Sequence, residues 1–421
     1  MTSKNPRDAA GQAAAAAATE AYPRIVATLI RITGDWTLAE DCAQDALAQA
    51  LERWPADGVP VNPGGWLMTV ARNRALDVLR RATVERRKLR DLAVLALTAA
   101  TEEPAEAEEV VDDRLRLIFT CCHPALGLEA RVALTLRTIC AVPTADIARA
   151  FLTSESTMTR RLTRAKSKIA DAGIPYRVPT GRALTERLPG VLGVLYLLFT
   201  QGYNADGEPA FAGEAIRLAR LLARLMPGEP EAAALLALML FQDSRRAARR
   251  DAAGNLVTLD KQDRSLWDHA AIAEAAGLLA GLSDGLGGGL GDRPGDGSYA
   301  WQARIAACHA TAKSTQDTDW PRIAECYDAL ARLQPSPVIE LNRAVAHGHA
   351  HGPAAGLALL AQARAGGALD DYPWALAAEA DLTARDGDHE RAAELFRQAA
   401  ERAHGESARR ALLNRAGELE P

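Results

Sequence analysis

Arg160, Arg161 and Arg164, set among Ser154, Ser156, Thr157 and Thr159, have types and spacing suited to recognition chemistry. Arginine bridges guanine O6 and N7 with paired hydrogen bonds, and small hydroxyls grip phosphate oxygens. These residues fall in the segment PTADIARAFLTSESTMTRRLTRAKSKI (143–169), which predicts two short helices around a tight turn. In the second helix Met158, Leu162, Ala165 and Ile169 recur at i, i+4, i+7 and i+11, one apolar stripe. Ser156, Arg160, Thr163, Arg164 and Ser167 lie opposite. An apolar back, a small polar first turn and a basic outer face suit the major groove of DNA. The same pattern also describes a core-packed amphipathic helix with a solvated basic face. Arg160 and Arg161 are the candidates for base or phosphate contact, whereas Arg164, Lys166 and Lys168 are expected to meet only backbone or solvent.

Two further groups lie upstream. Asp41, Gln44 and Asp45 share one side of a helix, where acids could meet a basic protein surface or simply be solvated near a helix start. Trp66, Arg72, Asn73 and Arg80 combine an aromatic ring with hydrogen-bond donors, and Asp77 adds an acceptor, groups of the kind that can hold nucleic-acid bases. A tryptophan at such a position also serves as a core anchor. Cys121, Cys122 and His123 lack the usual C-x2-C separation and no second ligand pair follows, so no metal and no cofactor is expected. No Ser-His-Asp set, nucleophile elbow, P-loop or HExxH motif is present, and the chain reads as a non-enzyme. His347, His349 and His351 are expected at a solvent-exposed, Gly-rich helix end.

The elements that must position these groups are helices. Hydrophobic residues make up 48% of the chain but aromatics only 5%, so cores of alanine and leucine are expected. The net charge of −5 conceals strong segregation: Arg72 to Arg90 holds eight basic residues against two acids, and Glu102 to Asp113 holds seven acids and no base. Six scattered cysteines point to reduced thiols in a cytoplasmic setting. Met1 to Ala18 lacks the order of a signal peptide, and the apolar run Leu188 to Phe199 is too short to span a bilayer, so no membrane is expected.

The expected organisation is a disordered tail (1–20), a helical block (21–82), an acidic linker (83–112) and the helix-turn-helix block (113–173). A helical middle domain (185–300) and a helical domain (301–421) follow. Asp35 is placed to cap a helix over 37–54, and 281–297 reads as a flexible loop. Helix pairs are expected at 320–333 with 337–348, 354–364 with 371–385, and 388–403 with 406–416. Ala380, Ala392, Phe396 and Ala399 reproduce the small-residue and Ala-x3-Phe spacing of a tetratricopeptide repeat, without its signature Trp, Leu and Tyr.

Taken in order, these blocks resemble regions 2 and 4 of sigma-70-type RNA polymerase sigma factors of the extracytoplasmic-function class. The region 2 resemblance rests on Asp41, Gln44 and Asp45 and on the run Trp-Leu-x-x-x-Ala-Arg-Asn-x-x-Leu-Asp over 66–77. The region 4 resemblance rests on Ser154, Thr157, Met158, Arg161 and Leu162. Phe119 to Leu126 (FTCCHPAL), Phe199 to Ala205, Ile305 to Ala310 and Ser336 to Val345 look like the subgroup with a fused C-terminal tetratricopeptide-like domain. Leu152 departs from the class, most members of which have glycine at that turn, and a leucine there is strained if the turn requires positive φ.

The resemblance implies an all-α protein: two small DNA- and polymerase-binding helical domains followed by a helical extension with tetratricopeptide-like repeats. It implies a factor that binds core RNA polymerase through the β′ clamp and β flap and directs promoter-specific initiation. Asp41, Gln44 and Asp45 would meet the clamp, and Trp66, Arg72, Asn73, Asp77 and Arg80 the −10 element. Ser154, Ser156, Thr157, Thr159, Arg160, Arg161 and Arg164 would meet the −35 element. The C-terminal helices would regulate, contact polymerase or hold a protein partner. The alternative is a helix-turn-helix transcription regulator with a repeat-type sensor domain, which would need neither the acidic helix nor the −10 block.

Overall fold

The computed structural model describes residues 6–93, 112–151, 153–203, 209–251, 257–284, 297–403 and 405–419, and over these the secondary structure is helical with no sheet. The chain divides into two compact units, Met1–Leu197 and Leu198–Pro421. Leu152, most of the acidic linker and the Gly-rich segment after Asp284 lie outside the described residues.

The first unit opens with α1 (Pro6–Thr33), α2 (Trp36–Asp57) and α3 (Pro63–Ala93). The stretch expected as a tail is instead the start of α1, in keeping with alanine being the strongest helix former. Asp35 caps α2 as its residue type predicts, accepting from the Thr37 and Leu38 amides at 2.8 and 3.0 Å. Ala39, Ala43, Ala46 and Ala50 line the buried face of α2, so small side chains permit its packing against α1 and α3. The α2–α3 turn uses Gly58 at φ 84 and ends on Asn62, whose Oδ1 accepts from the Gly65 amide at 2.9 Å.

Next come α4 (Asp113–Cys121), α5 (Leu128–Thr138), α6 (Thr144–Ala150) and α7 (Glu155–Asp171). The stripe Met158, Leu162, Ala165 and Ile169 is buried, as its period demands. Cys121 and Cys122 are buried in the α4 core, and burial pushes the Cys122 thiol up to about 11. Among the described residues, no three His, Cys, Asp or Glu side chains gather as a metal site.

The expectation of a short apolar run needs correction. It lies within α8 (Arg182–Tyr203), which is long and apolar enough to cross a membrane by length and composition. Core helices pass the same test, and Leu188, Val191, Leu192, Val194 and Leu195 are buried. Arg187 donates to the Phe119 carbonyl, which ties this helix to α4. The boundary between the two units falls inside α8.

The second unit holds α9 (Pro209–Leu225), α10 (Pro230–Asp243), α11 (His269–Asp284) and α12 (Ser298–Thr311). Glu231 on α10 accepts from the Tyr299 and Ala300 amides at 3.0 Å each, capping α12 from a distance in sequence. Six helices follow: α13 (Trp320–Leu333), α14 (Pro337–His351), α15 (Pro353–Arg364), α16 (Pro373–Arg385), α17 (His389–Arg402) and α18 (Glu406–Gly417). Helices α14 and α15 touch through Gly348 and Gly356, where a Cβ on Gly356 would lie 2.7 Å from the Gly348 Cα and 2.8 Å from the Ala344 carbonyl oxygen. Of the three histidines of α14, His351 is exposed as expected, whereas His347 and His349 are largely covered. His347 Nε2 lies 3.0 Å from Asp328, and the His349 side chain is 16% exposed beneath Trp320.

Candidate nucleic-acid interface

Helix α7 starts on Ser154, whose hydroxyl accepts from the Thr157 amide at 3.2 Å and lies 3.1 and 2.8 Å from the Ser156 and Thr157 hydroxyls. This small polar cluster leaves the first turn open to an approaching backbone. Thr159 donates back to the Glu155 carbonyl at 2.9 Å. The arginines then separate. Arg160 and Arg164 are exposed on the outer face. Arg161 pairs with Glu129 of α5 at 2.9 Å and stands 5.8 Å from the Phe151 ring centroid, its side chain only 29% exposed. Arg161 is thereby anchored against α5 in this arrangement, and Arg160 and Arg164 carry the outward charge.

Between α5 and α7 lies a concavity of about 450 Å³ walled by Gly127, Arg160, Arg161, Arg164 and Lys168. The α5 N-terminus at Gly127 has no side-chain cap, so its free amides add positive potential to that of the cations. Such a hollow suits one phosphate group. Lys166 departs from its expected role: its ammonium meets the buried carboxylate of Glu40 on α2 at 2.8 Å. Arg31 reaches Asp113 at 2.9 Å, and the Tyr176 hydroxyl donates to the Ala27 and Asp113 carbonyls at 2.9 and 3.2 Å. These contacts join α1 and α2 to the helix-turn-helix.

Asp41, Gln44 and Asp45 are all exposed on one face of α2, and Asp45 pairs with Arg74 at 3.0 Å. On α3 the structure aligns Trp66, Asn73, Asp77 and Arg80 along one face, at i, i+7, i+11 and i+14. Arg72 is exposed but sits about 100° around the helix from Asn73. Trp66 packs edge-on against Trp54 with ring centroids 5.5 Å apart and remains half-buried, so it is an anchor with one accessible side. Asp77 and Arg80 face one another at 3.6 Å.

The structure also shows residues that the sequence reasoning missed. A cavity of about 720 Å³ opens where α1 meets the start of α3, lined by Arg24, Ile25, Asn62, Gly65, Met68 and Arg114 among others. It combines a guanidinium, an amide and apolar walls, which suits a planar polar heterocycle. The Asn62-Pro63-Gly64-Gly65 turn was the available signal, since Asn and Gly mark a capped, closely approached backbone. Arg24 carried no local signal.

Residues 18–84 match sigma-70 region 2, and residues 116–169 match sigma-70 region 4. The chain belongs to the sigma-70 family. Residues 187–282 of this sigma factor match a family of unknown function, DUF6596. It is 42% identical over 348 residues to an uncharacterized protein, R00370, of Rhizobium meliloti (strain 1021), covering 81% of this chain and 80% of that one. It is 30% identical over 157 residues to the probable ECF RNA polymerase sigma factor SigI of Mycobacterium tuberculosis, covering 37% of this chain and 53% of SigI. No solved structure matches the factor.

Proposed function

We propose that this sigma factor belongs to the extracytoplasmic-function class, works in the cytoplasm, and carries core RNA polymerase to a promoter with two recognition elements. The observation that carries the reading is the coexistence, in one chain, of the exposed arginine face of α7 and the aligned face of α3. The similarity of residues 18–84 and 116–169 to the two sigma modules, and the likeness to a probable ECF factor, support it.

On this reading Arg160 and the hydroxyls of Ser154, Ser156, Thr157 and Thr159 read or grip the upstream element, and Arg164 neutralises phosphate. Arg161 contributes by fixing the angle of α7 through Glu129. Asn73, Asp77 and Arg80, with Arg72 beside them, follow the strand at the downstream element. The Arg24–Asn62 cavity receives one base taken out of the stack. Unstacking costs a few kcal/mol, on the order of what a stacked, hydrogen-bonded pocket returns. Asp41, Gln44 and Asp45 dock the β′ clamp, and the α4–α7 unit meets the β flap. The C-terminal helices form a tetratricopeptide-like array that regulates the factor or adds a protein contact.

Co-elution of the full chain with purified core polymerase tests the docking assignment. The wild-type chain is expected to comigrate with core, and the double charge reversal Asp41→Arg, Asp45→Arg to elute alone. Equal comigration of both would remove these acids from the interface.

A further inference from the structure

The C-terminal unit contains a cavity of about 810 Å³ that no part of promoter recognition uses. That volume is within the range of small-molecule sites. Its walls come from chain segments far apart in sequence: the turn at Leu259–Arg264, His309 on α12, Trp320 on α13, His349 on α14, Asp381 and Arg385 on α16, and Arg415 on α18. Rings form one side. Trp320 and His349 stack at 3.8 Å with planes 15° apart, and His309 meets Trp320 edge-on at 5.3 Å. Leu259, Ala384 and Leu419 add apolar surface.

Among the charged side chains that line the cavity, the cations Arg264, Arg385 and Arg415 outnumber the carboxylates Asp260 and Asp381. Against the opposing effect of burial, Asp381 is held ionised by His349, by Arg415 at 3.1 Å and by the field of Arg385, so its charge is answered within the protein. Arg264 spends its Nη1 on two neutral carbonyls, those of His309 and Ala312, at 2.9 Å each. Those bonds hold the guanidinium in place without neutralising it. Arg385 is exposed at the rim, and Arg245 adds a further positive field behind Arg264 and His309. Against these stand Asp260 on the wall and Asp317 beside Arg264. His309 is neutral near pH 7, because burial first, then Arg245 and Arg264, pull it down to about 4. A neutral imidazole offers one donor and one acceptor to a ligand.

We propose that this cavity binds a small organic anion with a planar, largely apolar body, its acidic group held by Arg264 and Arg385 and its body against Trp320 and His349. The site is independent of promoter recognition, so its test does not depend on transcription.

The experiment is isothermal titration of the full-length chain with benzoate, indole-3-acetate and phenyl phosphate, with benzamide as the uncharged control. At least one anion is expected to bind with a Kd below about 1 mM, and benzamide at least about tenfold more weakly. Arg385→Gln, at an exposed position that leaves the core intact, is expected to weaken the best anion about tenfold or more, the loss of one charge-assisted hydrogen bond. Circular dichroism confirms that the variant is folded. Absence of binding by all three anions overturns the proposal. So does binding that benzamide matches or that Arg385→Gln leaves unchanged.

Discussion

Replacing Lys166 by methionine keeps most of the side-chain volume and removes only the charge. In the native fold the Lys166 ammonium meets Glu40 at 2.8 Å, with 19% and 10% of the two side chains exposed. The second Glu40 carboxylate oxygen has no hydrogen-bond partner. Loss of Lys166 thus strands a buried carboxylate that is already half-satisfied. Breaking a fully buried pair costs about 3–5 kcal/mol, and residual access of water to the Lys166 side lowers the expectation here to about 2–3 kcal/mol. The companion change Glu40→Gln removes the stranded charge, so the double variant is expected to recover about half or more of the loss. Urea unfolding followed through the transition of the N-terminal unit, read as a double-mutant cycle, measures this coupling. A coupling above about 1 kcal/mol is expected. Additivity within about 0.5 kcal/mol, the spread of independent sites, would refute the argument that this pair locks α2 to α7.

Three other outcomes follow from local geometry. Arg160→Ala is expected to weaken binding of the holoenzyme to promoter DNA about tenfold or more by fluorescence anisotropy, whereas Arg161→Ala, whose guanidinium is tied to Glu129, should change it by only about threefold at fixed salt. Gly356→Ala should destabilise the C-terminal unit by about 1–3 kcal/mol in thermal unfolding, because the new methyl meets the Gly348 backbone and not a side chain that can swing away. The buried Cys122 thiol, raised from 9.0 to about 11, stabilises the fold below its ordinary value, and that contribution is lost as pH climbs through 9 toward about 11. Iodoacetamide at pH 8 should accordingly leave Cys122 unmodified until the protein unfolds, as mass spectrometry would record.

Local patterns made part of this molecule legible. The stripe on α7, the Asp35 cap and the acidic face of α2 all follow from spacing within one or two turns. Contacts across the chain were not legible. Arg160 and Arg161 are neighbours of one type, and only Glu129 and Phe151, brought in by α5 and the turn after α6, tell them apart. Glu40 and Lys166 lie 126 residues apart, so nothing near Lys166 marked it as anything but a solvated cation. The alanine run before residue 20 differs for another reason: a terminal position suggests a frayed tail, while helix propensity argues for the helix that forms. His349 was expected in solvent because it stands near the end of α14, and Trp320 from the preceding helix covers it.

Run-off transcription with purified core RNA polymerase, this chain as the sole sigma factor and a library of promoter fragments decides whether the chain directs initiation. Discrete transcripts that require the chain are expected, as is their loss with Arg160→Ala despite retained binding to core. Absence of any chain-dependent transcript, together with failure to bind core, would rule out a role as a sigma factor.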